Sequence, residues 1–163
     1  MYPLLQSLRP KQWIKNLLVF AALLFSLNAD RSDLLLRSVW AFLLFCAVSS
    51  SIYLINDILD INQDRLHPVK SQRPIASGRV PLAVAWVTAL VLFLGSSALG
   101  YLVAPAFALT ILIYVALQLL YSTRLKHVVI LDVMIIAAGF VLRAMAGAYA
   151  IDVPISQWLL VCT

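Results

Sequence analysis

Apolar runs of close to 20 residues recur along almost the whole of this 163-residue chain, separated by short stretches that hold most of its charge. That is the length an α-helix needs to cross a hydrocarbon core of roughly 30 Å. A lipid interior offers backbone groups no partners, so only helices or closed barrels can occupy it. The runs cover roughly residues 13–29, 34–55, 81–103, 105–121 and 128–150, and a further one begins at Val153 and is cut off at Thr163. They predict an all-α polytopic membrane protein with five full transmembrane helices and a truncated sixth, in a single domain over residues 1–163. Composition removes the alternatives: 63% of residues are hydrophobic and 12% charged, against about 45–50% and about 25% in soluble domains. The first run is too long for a cleaved signal peptide, and no small-residue cleavage site follows it.

The basic residues orient the chain. Arg9, Lys11 and Lys15 precede the first run, Arg65, Lys70, Arg73 and Arg79 follow the second, and Arg124 and Lys126 follow the fourth. Only Arg31 and Arg37 lie on the opposite side, and Arg143 is inside the fifth run. By the positive-inside rule the N-terminus and the loop over residues 61–80 face the cytoplasm of a cell membrane. The net charge of +5 is therefore read as orientation and anion binding, with no nucleic-acid partner. Cys46 and Cys162 lie far apart in apolar segments and read as inert buried thiols.

All seven acids are Asp, and three of them share one helix end. Asn56-Asp57-x-x-Asp60-x-x-x-Asp64 puts Asp57, Asp60 and Asp64 within about 60° of one another on a helix, with Tyr53 on the same face. Stacked carboxylates at a membrane surface repel unless a cation bridges them. Hard oxygen donors of this kind suit Mg²⁺, which normally keeps waters and bridges to substrate phosphates. Lys70 and Arg73, held by Pro68 and Pro74, follow directly and could take up the remaining oxygens of a diphosphate.

In the fourth run Thr110, Tyr114, Gln118 and Tyr121 give one polar face, which also serves as interhelical hydrogen-bonding glue. Tyr121 leads into a second short basic loop containing Arg124 and Lys126. In the fifth run Asp132 and Arg143 lie within about 20° of one face but about 16 Å apart along the axis, with Gly139 and Gly147 near that face. His67 and His127 each lack a second His or Cys nearby and read as loop residues.

Asn56-Asp57-x-x-Asp60-x-x-x-Asp64 followed by Lys70-x-x-Arg73-Pro74 resembles the first aspartate-rich motif and adjoining loop of the UbiA-type intramembrane prenyltransferase superfamily. The stretch from Tyr121 to Lys126 resembles that family's loop after the fourth span. Arg9-Pro-Lys-Gln-Trp-Ile-Lys-Asn16, Tyr121-Ser-x-x-Leu-Lys-His127, Leu131-Asp-Val133 and Gly139-Phe-Val-Leu-Arg143 resemble the branch that moves phosphoribose to polyprenyl phosphate. The resemblance implies the N-terminal part of a bundle of about nine helices, with a Mg²⁺-dependent, diphosphate-releasing site at the cytoplasmic rim. Its catalytic and metal-holding residues would be Asp57, Asp60 and Asp64; Asn56, Lys70, Arg73, Tyr121, Lys126 and Arg143 would contact substrate. The implied donor is phosphoribosyl diphosphate and the implied acceptor a decaprenyl phosphate or close relative.

Two other functions compete. One is prenyl transfer from a polyprenyl diphosphate to an aromatic ring, as in quinone or haem biosynthesis, which needs the same diphosphate clamp. The other is a transporter or scaffold with a cation site, although transporter sites typically sit near the midplane. The resemblance also implies a second acidic or basic–acidic motif after the sixth span. The 163 residues contain none, so the chain is expected to be a fragment of a roughly twofold longer enzyme and inactive alone.

Overall fold

The computed structural model describes residues 2–26, 30–123, 129–155 and 163, and over these it contains helices and turns but no strand. In chain order these are α1 (Pro3–Ser7), a 3-10 segment (Pro10–Phe20), α2 (Ala21–Phe25), α3 (Ser32–Leu59), α4 (Ile61–Leu66), a 3-10 turn (Lys70–Gln72), α5 (Leu82–Val103), α6 (Pro105–Thr123) and α7 (Val129–Ile151). α3 is the axis, packing against the 3-10 segment, α5, α6 and α7. Its Leu44, Phe45, Val48 and Ile52 meet Val19 of the 3-10 segment, Phe107 and Ile111 of α6, and Ala146 and Ala150 of α7 in the central core. Farther along, Leu54 and Ile58 pack on Ile75 and Val80 of the following loop and on Ala85 and Ala89 of α5. This second cluster fastens the basic loop to the end of α3. The outer face of α5 leaves Val87, Leu90, Val91 and Leu94 exposed, as a lipid-facing helix would.

Four helices are long and apolar enough to cross a membrane: Ser32–Leu59, Leu82–Val103, Pro105–Ser122 and Val133–Ile151. They match the second to fifth expected runs. The first run departs from expectation, because it winds as an 11-residue 3-10 helix before five residues of α-helix. At 3.0 residues per turn, side chains three apart eclipse, and the contacts of this segment have that period. Trp13 donates to the Ser50 hydroxyl at 2.9 Å, and Asn16 and Val19 are buried. On the other side Lys11, Ile14 and Leu17 are exposed. Pro10 opens the segment, where its missing N–H costs nothing. Gly147 of α7 permits the closest approach: a Cβ there would sit 1.9 Å from the Val19 carbonyl oxygen.

α7 closes at Asp152 in the left-handed region, φ 55°, with Val153 N–H donating to the Ala148 carbonyl at 3.1 Å. Residues 153–155 of the expected sixth run are not helical, and 156–162, including Cys162, lie outside the described residues. Cys46 is buried and accepts from the Asn16 side-chain amide at 3.3 Å.

Candidate active site

The helical hydrogen bonds run on through the joint between α3 and α4. Asp60 N–H donates to the Asn56 carbonyl at 2.9 Å, and Asp64 N–H to the Asp60 carbonyl at 2.8 Å. Asp57 and Asp64, seven residues apart, therefore keep a common face. Both are buried, with 3% and 1% of their surface exposed. Arg73 joins them: its Nη1 donates to Asp57 Oδ1 at 3.1 Å and to Asp64 Oδ2 at 2.6 Å. Arg9 Nη2 donates to the same Asp57 oxygen at 2.5 Å, and its guanidinium lies 4.9 Å from the centre of the Tyr53 ring. A cavity of about 300 Å³ opens over this cluster, walled by Gln6, Ser7, Arg9, Asp57, Gln72 and Arg73 among others.

Two of the three carboxylates expected to form the cation site are drawn together here. Among the described residues no three His, Cys, Asp or Glu side chains gather closely enough to hold a metal. Asp57 and Asp64 converge, whereas Asp60 is half-buried at the joint and has a partner. The reason is electrostatic. Two buried carboxylates need a counter-charge, and a guanidinium from the neighbouring loop supplies it.

The loop is held by its own basic side chains. Arg65 Nε donates to the Ala76 carbonyl at 3.2 Å, and Arg79 Nη2 donates to the Gln72 carbonyl at 2.5 Å. His67 Nδ1 accepts the backbone N–H groups of Val69 and Lys70 at 3.2 and 3.3 Å, so His67 is a structural loop residue, as expected. Gly78 turns the chain at φ 75°. Lys70 is exposed, and no described side chain pairs with it.

Arg143 lies apart from this cluster. It is 95% buried in α7, donating from Nε to Asn16 Oδ1 and from Nη2 to the Tyr114 hydroxyl, each at 2.9 Å. Thr110, on the same face of α6, turns back to the Ala106 carbonyl at 2.8 Å. Tyr121 is half-buried and partnered. Arg124, Lys126 and His127 lie outside the described residues, as does the side chain of Asp132.

Sequence reasoning missed Arg9, Trp13 and Asn16 as site-building residues. Arg9 sits in a basic N-terminal run and reads as an orientation signal. The local clues are the Arg9–Asn16 stretch as a signature and Pro10, which restricts the residue before it; Arg9 adopts the sparsely populated left-handed region at φ 53°, ψ 60°.

The model of the UbiA prenyltransferase family matches residues 17–163. The chain belongs to that family. UbiA-family relatives include the decaprenyl-phosphate phosphoribosyltransferase of Mycolicibacterium smegmatis, 44% identical over 161 residues, covering 96% of this chain and 51% of that protein. The enzyme of the same name from Corynebacterium glutamicum is 42% identical over 162 residues, covering 96% and 48%. The chain thus spans about half the length of the curated relatives it matches. A solved UbiA homologue from Archaeoglobus fulgidus, bound to GPP and Mg²⁺, superposes with a TM-score of 0.79 at 24% identity, covering 97% of this chain and 57% of that one. The UbiA fold is therefore shared by this all-helical chain.

Proposed function

We propose that the protein is a Mg²⁺-dependent, diphosphate-releasing membrane transferase that moves phosphoribose from phosphoribosyl diphosphate to a polyprenyl phosphate, most specifically decaprenyl phosphate. The observation that carries this is the convergence of two buried carboxylates and two guanidinium groups on one cavity at the end of a membrane-length helix. Identities of 42–44% to decaprenyl-phosphate phosphoribosyltransferases support this choice of donor and acceptor within the family.

The residues present fit a divalent cation. Asp57 and Asp64 are hard oxygen donors already directed at one point of positive charge, the Arg73 Nη1 atom. In the proposed site Asp57 and Asp64, joined by the adjoining Asp60, would hold Mg²⁺, which would supply positive charge to the departing diphosphate. Arg73 and Arg9 move from carboxylate to phosphate oxygens, and Lys70 contributes from the loop rim. Asn56, Tyr121, Lys126 and Arg143 are the further residues proposed to contact substrate. Apolar helices around the site keep water from the cationic sugar carbon that forms as diphosphate leaves.

We place this single domain in the cell membrane, with the N-terminus, the basic loop and the site cytoplasmic. The proposed architecture is the N-terminal part of a bundle of about nine helices, to which the first apolar run and the truncated one from Val153 would also belong. The test uses the whole protein in membranes, supplied with radiolabelled phosphoribosyl diphosphate or a prenyl diphosphate. Mg²⁺-dependent label transfer from the first to polyprenyl phosphate is expected. Transfer only from the second, to an aromatic acid, overturns the assignment, and consumption of neither donor points to a non-enzymatic cation site.

A further inference from the structure

A second cavity, of about 140 Å³, lies between α3, α6 and α7, with Lys15, Tyr53, Asn56, Tyr114, Gln118 and Arg143 in its walls. Liquid water takes about 30 Å³ per molecule, so a phosphate-sized group has room there. Arg143 is buried inside a membrane-length helix, yet its hydrogen bonds go to an amide oxygen and a phenol. The rings of Tyr114 and Phe140 stack on it at 5.0 and 5.4 Å. None of these neutralises its charge, and no described carboxylate pairs with it. Lys15 brings a second cation to the same walls, so the cavity is lined by charge of one sign. Asn56 adds an orphan: its Oδ1 is buried without a hydrogen-bond partner. A half-turn of that amide would present a donor instead. Two cations, an adaptable amide and a phenol around one small cavity present the donors that an anion needs.

We infer that this cavity is a phosphate-monoester subsite, separate from the carboxylate cluster that takes the diphosphate. The identification of its ligand rests on the proposed phosphoribosyl transfer, in which both the lipid acceptor and the sugar donor carry a monoester phosphate. Tyr53 is shared by the two cavities, one through its wall and the other through Arg9. If the acceptor occupies the subsite, its phosphate oxygen forms the new bond to the sugar carbon. The bond from that carbon to diphosphate breaks, and the electron pair leaves with diphosphate.

The experiment is equilibrium binding to the whole protein in detergent without Mg²⁺, using farnesyl phosphate, farnesol, ribose 5-phosphate and 4-hydroxybenzoate as probes. At least one phosphate probe should bind the parent protein about tenfold more tightly than farnesol. Arg143→Gln should lose about tenfold or more of that affinity, the scale of one charged hydrogen bond. Lys15→Gln, at an exposed position that cannot disturb the core, should lose a few-fold. Loss confined to farnesyl phosphate assigns the subsite to the acceptor; loss confined to ribose 5-phosphate assigns it to the donor. Equal phosphate binding by parent and both variants overturns the inference, as does absence of phosphate preference or tighter Arg143-dependent binding of 4-hydroxybenzoate. No transfer step is needed for the readout, so failure of the proposed reaction shows separately in the labelled-donor assay.

Discussion

Asp57 accepts from two guanidinium groups at once, and this decides what its removal does. Asp57→Ala leaves Arg9 and Arg73 facing each other beside Asp64, and it removes one of the three proposed cation ligands. Turnover should fall by two orders of magnitude or more, and Asp64→Ala should be comparable, with membrane insertion retained; labelled-donor assays on isolated membranes measure both. Arg73→Lys replaces a planar fork with a point charge on a shorter reach. Donor KM should rise about tenfold, with a smaller change in kcat, and Lys70→Ala, at an exposed position, should shift KM only a few-fold. Sequence spacing carried this part of the site because charged residues in apolar surroundings stand out and seven residues make two helical turns. Arg9 was illegible for the opposite reason. A charge among charges carries no positional signal, and its partner lies 48 residues away.

At the scale of elements, the helix α7 depends on one missing methyl. Gly147→Ala would drive a Cβ into the Val19 carbonyl, and overpacking of this kind costs about 1–3 kcal/mol. Thermal unfolding in detergent should show the loss. Gly95→Ala, where a Cβ would meet nothing within 4 Å, should leave the midpoint unchanged or raised. The loop gives a second test. His67→Ala removes the acceptor for two backbone N–H groups and frees the turn that carries Lys70 and Arg73. Donor KM should rise while kcat holds, and a fall in kcat alone would contradict a purely loop-fixing role. Helices α3, α5, α6 and α7 were readable from length and hydropathy, since twenty apolar residues leave the backbone one way to satisfy itself. The 3-10 winding of the first run was not, because steps of three occur within an α-helical pattern as well. Only the partners of Trp13 and Asn16 on α3 separate the two.

For the whole molecule, the charge asymmetry predicts topology. A single cysteine at Ser77 should react with an impermeant maleimide only from the cytoplasmic side, and one at Arg31 only from the other, in a background lacking Cys46 and Cys162. Equal labelling from both sides would reject the orientation. The 3-10 segment has a consequence at this scale too. It runs alongside α3 like a vernier, two rulers with unequal graduations. From Arg9 to Asn16 is seven steps of about 2.0 Å, near 14 Å, against about 10.5 Å for an α-helix. On α3 the matching marks, Asp57 and Ser49, are eight steps of about 1.5 Å apart, near 12 Å. One strip of chain thus holds the carboxylate cluster at one end and orients Arg143 at the other. An alanine inserted after Gln12 would shift one mark against the other, so the protein should keep either donor binding or the Arg143 cavity in register, but not both.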